Sequence, residues 1–191
     1  MIEKIYLASA SPRRKQLVKQ MGMECKVIEV DVEEPMDQKL HAVELAKNLS
    51  ELKMNACLEH PELYPDDAVI LTADTLIALD DEKIGKAETR EAAAEMLRGI
   101  QGRSHQVITA FTIYSVSQRK MITDYESSDV SFSPMSEEEI NNYLDTDEWK
   151  GVAGAYRIQE QGGKYISSLN GTFYNVMGLP INRIYGILSR L

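Results

Sequence analysis

The segment Leu7-Ala8-Ser9-Ala10-Ser11-Pro12-Arg13-Arg14 runs from an apolar stretch through small residues into a helix start with two arginines in its first turn. Serine before proline opens helices, because the hydroxyl caps a free backbone N–H and the fixed φ of proline suits the first helical position. Free N–H groups and the positive end of the helix dipole attract anions, so Arg13 and Arg14 are mildly unfavourable there unless an anion lies between them. One reading is a phosphate cradle with Ser9 and backbone amides as further donors; the other is a pair of solvated arginines on a surface helix.

Asp74 is the second anomaly, since it interrupts Val69-Ile70-Leu71-Thr72-Ala73-Asp74-Thr75-Leu76-Ile77-Ala78-Leu79, which otherwise reads as core. A carboxylate in such surroundings is salt-bridged, bound to metal or shifted in pKa, unless a strand-end turn lets it cap backbone amides. Glu33 and Glu34 end an acidic connection and have the oxygen chemistry Mg²⁺ and Mn²⁺ favour, although a Glu pair is also an ordinary solvated surface feature. Lys53 is placed on the polar side of its helix and Lys86 follows Gly85; each has phosphate or plain solvent as its alternatives.

The elements that must position these groups follow from periodicity. Ile5 to Ala8 is a buried strand, the Ser11-Pro12 helix ends at Gly22, and Glu24 to Val30 alternates as a half-buried strand. Apolar residues at helical spacing predict a helix from Ala42 to Leu58. Ala68 to Leu79 is predicted as a strand segment broken at Thr72-Ala73-Asp74-Thr75, with a turn at Asp80-Asp81-Glu82-Lys83. Thr89 caps a helix ending near Gly99; Gln106 to Val116 and Lys120 to Phe132 form an antiparallel pair; Ser136 caps a helix to about Leu144. A glycine-rich loop from Gly151 to Gly163 precedes a strand from Lys164 to Leu169 and a closing helix from Pro180 to Leu191.

Composition bounds the class. The 191 residues, 43% apolar and 27% charged, are enough for one substantial α/β core. The net charge of −9 argues against broad contact with nucleic-acid backbones but leaves room for a small polyphosphate held by a local cationic cluster. No apolar run reaches membrane-spanning length and the opening residues lack a signal-peptide pattern, so a cytoplasmic location is expected, with no membrane partner. Cys25 and Cys57 stand outside any Cys-x-x-Cys spacing and read as reduced thiols. The chain lacks a Walker P-loop, a G-x-G-x-x-G, a His-Glu-x-x-His and a G-x-S-x-G, and His105, opening a strand, reads as a structural hydrogen-bonding residue.

The order of strings resembles the Maf family of nucleotide pyrophosphatases almost throughout: Ser9 to Arg14, Thr72-Ala73-Asp74-Thr75, Gly102-Arg103-Ser104-His105, Ala153-Gly154-Ala155-Tyr156-Arg157-Ile158-Gln159 and Val176-Met177-Gly178-Leu179-Pro180. The resemblance implies one α/β domain over residues 1–191, an elongated mixed sheet curved around a cleft between two lobes, inosine-triphosphatase-like, with helices on the outer faces. It implies hydrolysis of nucleoside triphosphates to monophosphate and pyrophosphate with Mg²⁺ or Mn²⁺. Asp74 matches the proton acceptor, Arg13, Arg14, Lys53 and Lys86 the phosphate-binding cations, and Glu34 a carboxylate near the metal, with Asp74 itself a second metal-ligand candidate. Arg13, Thr75 and Gln159 match positions that mark the dTTP/UTP-hydrolysing branch. Homodimerisation is common in the family, which has also been connected with septum formation and cell-division arrest. Three positions depart from the pattern: Ala87 where proline is usual, Arg157 where glycine is usual, and Gly151 where an aspartate is expected. A non-enzymatic regulator and a phosphatase releasing orthophosphate are the competing readings.

Overall fold

A computed structural model describes residues 2–80 and 82–191. Its elements are β1 (Lys4–Leu7), α1 (Pro12–Gln20), β2 (Glu24–Val27), α2 (Ala42–Leu58), β3 (Val69–Leu79), β4 (Glu82–Ile84), α3 (Arg90–Ile100), β5 (Ser104–Ser115), β6 (Lys120–Phe132), α4 (Glu137–Leu144), β7 (Ile166–Asn170), α5 (Phe173–Met177) and α6 (Ile181–Leu188), with short 3₁₀ turns at Pro61–Leu63 and Gln161–Tyr165. The strands form one open mixed sheet in the order β2-β1-β3-β5-β6-β7, with β4 attached to β3. Strands β1, β2 and β3 run parallel, and β3 to β7 pair antiparallel.

The geometry that makes a site lies on one edge of β3. Its other edge is paired with β5 continuously from Val69 to Ala78. On the site edge, β1 pairs only as far as Leu71 and β4 begins only at Ile77. The stretch from Thr72 to Leu76 therefore faces a gap where β1 and β4 diverge, and crevices at such points are where open α/β sheets admit ligands. Alternate side chains of this stretch point to opposite faces, so both faces contribute to the opening.

Helix α2 covers one face. Leu45, Ala46 and Leu49 are buried against Leu76, Ile108 and Ala110, and each large apolar side chain so buried contributes about 1.5–3 kcal/mol. Ser50 and Thr72 lock the register: the Thr72 hydroxyl donates to the Ser50 carbonyl at 2.7 Å, and the hydroxyls of Ser50 and Thr112 lie 2.9 Å apart. One turn along α2 and two residues along β3, the same stacking sets Lys53 over Asp74. The opposite face is covered by α1 and α6, with Leu17, Val18, Ile184 and Leu188 packed on Leu71, Ala73, Phe111 and Ile113. A further cluster joins α3, α4 and the 151–163 loop through Leu97, Ile140, Trp149 and Tyr156.

Several sequence expectations need correction. Strand β3 is unbroken, because Thr72 and Asp74 are satisfied by partners on α2 instead of forcing a turn. Glu82 and Lys83 belong to β4; the reversal is made at Asp80, whose φ is 53°, while Asp81 lies outside the described residues. The last expected strand begins at Ile166, after a 3₁₀ turn that takes Lys164 and Tyr165. Helix α5 has no counterpart among the expected elements, and Pro180 caps α6 from outside it. Among the described residues, no helix is long and apolar enough to cross a membrane.

Candidate active site

A cleft of about 1090 Å³ opens at the gap beside β3, at the upper end of what small-ligand sites occupy and roomy enough for a nucleotide with its phosphates. Ser9, Arg13, Arg14, Glu34, Lys53, Asp74, Thr75, Lys86 and Gln159 all line it; Glu33 does not. Residues separated by more than a hundred positions are thus gathered around one opening.

The start of α1 is built as its residue types dictate. Ser11 caps the helix, its hydroxyl accepting from the Arg14 amide at 3.5 Å, and Pro12 occupies the first turn. Arg14 is no solvated surface arginine. Its Nε donates to the Gly178 carbonyl at 2.9 Å, Nη1 to Ser9 Oγ at 3.3 Å and Nη2 to Thr75 Oγ1 at 3.0 Å. Burial pushes this guanidinium below its ordinary pKa, against the pull of Asp74 and Glu34. The Thr109 hydroxyl donates to the Asn175 carbonyl at 2.9 Å. Its single proton is thereby used, so at 3.0 Å the Thr75 hydroxyl must donate to Thr109 while accepting from Arg14. Both hydrogen-bonding roles of Thr75 thus act on Arg14 and Thr109, which makes its hydroxyl a brace for Arg14.

Asp74 is 4% exposed and sits mid-strand opposite Ala110, so it caps no turn. Its Oδ1 accepts from Lys53 Nζ at 2.6 Å, and the same ammonium lies 3.0 Å from Glu34 Oε1. Lys53 is buried, contrary to its expected place on the polar side of α2. Lys86 Nζ approaches Glu34 Oε2 at 3.5 Å. Burial alone would raise the Glu34 pKa, but Lys53, then Lys86 and Arg14, outweigh it and hold the carboxyl below its ordinary range. The result is an alternating row: Asp74, Lys53, Glu34, Lys86.

The 151–163 loop closes the far wall. An isolated bridge joins Ala153 to Lys86, and the Gly154 amide donates to the Gly85 carbonyl at 3.0 Å, tying the loop to the lysine. Gly154 has φ of 68°, and a Cβ there would fall 2.1 Å from Ile77 Cδ1, so glycine eases both the backbone turn and the close approach to β3. Beneath the loop, Glu148 accepts from the amides of Gln161 and Gly162 at 3.3 and 3.4 Å, and the Tyr143 hydroxyl accepts from the Arg157 amide at 3.1 Å. His105 packs behind, its Nε2 2.8 Å from the Tyr156 hydroxyl, and burial depresses it to about 4.

Sequence reasoning missed two cations of this wall, Lys150 and Arg157. In the sequence Arg157 stands out only as a departure from glycine; its place two residues before Gln159 is the available signal. Lys150 carried none. In a chain of net charge −9, the cleft sets six cations, Arg13, Arg14, Lys53, Lys86, Lys150 and Arg157, against five carboxylates, a reversal of the overall balance that favours an anion.

An open mixed sheet with helices on both faces and a cationic cleft at a gap in a strand edge defines an α/β protein that receives a small anionic ligand. The comparisons sharpen this. The family model described as Maf-like protein matches residues 4–191, and the chain belongs to that family. A dTTP/UTP pyrophosphatase of Thermoanaerobacter sp. (strain X514) is 37% identical over 187 residues, 98% of this chain and 96% of the relative. Proteins of the same name from Bacillus velezensis and Bacteroides thetaiotaomicron are each 40% identical, over 182 and 189 residues, covering 95% and 98% of this chain and 93% and 95% of their own.

Proposed function

We propose that this chain hydrolyses nucleoside triphosphates, dTTP and UTP foremost, between the α and β phosphates, releasing the monophosphate and pyrophosphate. The names of the full-length relatives support the substrate. The observation that carries the chemistry is the buried Asp74 carboxylate, fixed by Lys53 at 2.6 Å at the mouth of a strand gap walled by cations.

In this reading a water attacks the α phosphorus, its proton passes to Asp74, and the bond to the bridging oxygen of the leaving pyrophosphate breaks. Lys53 orients the Asp74 carboxylate through Oδ1, leaving Oδ2 for the water. Arg13, Lys86 and the Arg14-braced start of α1 receive the charge that develops on the leaving group. Ser9 supports this indirectly, as the acceptor for Arg14. Gln159 carries a carboxamide suited to the paired carbonyl and ring N–H of thymine or uracil.

Among the described residues no group of three or more His, Cys, Asp or Glu is assembled to hold a metal. Asp74 and Glu34 offer the oxygen donors that Mg²⁺ or Mn²⁺ takes alongside substrate phosphates, and because Lys53 bridges them, such an ion would share these carboxylates with the ammonium. Bound there, it would offset phosphate charge in the substrate and in the leaving group.

The test is product identification after incubation with a nucleotide panel and Mg²⁺ or Mn²⁺. Monophosphate plus pyrophosphate, fastest from dTTP and UTP, is the expected result; orthophosphate, or no turnover, would refute it. Asp74→Asn keeps the shape and removes the base, and its rate should fall at least about a hundredfold in a folded protein.

A further inference from the structure

The Arg157 side chain is held yet incompletely used. Its Nη2 donates to the Lys150 carbonyl at 3.3 Å, while Nε is buried with no acceptor. Arg13 lines the same cleft, and among the described residues neither guanidinium has a carboxylate at ion-pair distance. Arg90, Arg98, Arg103 and Arg183 each hold an acid, and Arg119 and Arg190, which hold none, are exposed to solvent, whereas Arg13 and Arg157 are half-buried. Arg13 is pushed down to about 10, first by burial and then by the charges of Arg157 and Arg14, with Glu160 the one acid whose field opposes them. Two guanidiniums lining one cleft without an ion-pair partner, one with a buried unpaired Nε, are a cost that a bound group offsets.

A base carbonyl would accept hydrogen bonds from such a pair but leave the repulsion in place. A phosphate offers both acceptors and negative charge, and the planar fork of a guanidinium matches its oxygens. Resting on the nucleotide reading above, we infer that Arg157 and Arg13 together form a two-guanidinium receptor for a phosphate group of the substrate, which makes Arg157 a substrate-binding residue from the loop that also carries Gln159.

Inorganic tripolyphosphate, which has no base, isolates this contact. Its affinity is to be measured by calorimetry on the wild type, Arg157→Ala and Arg157→Lys, alongside dTTP turnover and unfolding midpoints. Arg157→Ala should weaken tripolyphosphate at least about tenfold, as loss of a charge-assisted bond requires, with Arg157→Lys recovering part of the loss and the midpoint unchanged. Unaltered tripolyphosphate affinity in Arg157→Ala, or no tripolyphosphate binding to an active wild type, would overturn the receptor while leaving the proposed activity standing. Absence of any nucleotide turnover by the wild type would instead overturn the activity on which the receptor rests.

Discussion

The two walls of the cleft solve opposite electrostatic problems. On the α2 side, Asp74, Lys53, Glu34 and Lys86 alternate in sign, so each charge is met before any ligand arrives. On the α1 and loop side, Arg13 and Arg157 have no ion-pair partner among the described residues, and Glu160 is the one acid whose field reaches Arg13. The first wall is complete as folded and holds its geometry through its own ion pairs; the second is complete only with an anion. Preassembly suits groups that must be aimed at a reacting atom, whereas uncompensated charge stores attraction for the substrate.

Removing one partner from the matched wall is the severest way to break the contrast. Lys53→Met leaves Asp74 buried without its ammonium, and stability should fall by about 3 kcal/mol or more in denaturant unfolding. An unchanged midpoint would mean that Asp74 does not depend on the pair. The same wall weakens in acid: Glu34 is held below its ordinary value of 4.5, so the stabilisation it gives is present above that pH and is lost as the pH falls through the depressed folded value. On the unmatched wall the sign reverses. Arg13→Ala should lower kcat/KM about tenfold while leaving the unfolding midpoint unchanged or raised, because a repelling charge is gone. Arg119→Ala, in the exposed β5–β6 turn, is the control and should be kinetically neutral; matching kinetics for the two variants would remove Arg13 from the site. The smallest effect concerns selectivity. Gln159→Glu replaces a donor with an anion facing base carbonyls, and kcat/KM for dTTP and UTP should fall about fivefold more than for a purine triphosphate; equal losses would make Gln159 a general support residue.

Much of this was legible in residue order. Helical spacing predicts α2 with its observed ends at Ala42 and Leu58, and Thr89 and Ser136 act as caps as their types suggest. At Lys53 period outweighs polarity: Ala46, Leu49, Lys53 and Cys57 fall on one helical stripe, and all four are buried. The expected break in β3 failed for a related reason, since nothing in the strand's own sequence reveals that α2 supplies partners for Thr72 and Asp74. Helix α5, five residues from Phe173 to Met177, is too short for periodicity to signal. The gap between β1 and β4, which makes the cleft, is a property of strand pairing and leaves no local trace.

Arg14 has a consequence for how the protein is made. Its guanidinium is fixed by a carbonyl 164 residues further along the chain, and by a threonine whose own brace ends at Asn175. During synthesis the first helix and its arginines emerge long before Gly178, yet their final geometry requires the stretch that ends there. A nascent chain that lacks that stretch has the first residues of the site without their arrangement, so Arg14 reaches its final geometry only after the chain through Gly178 has been made.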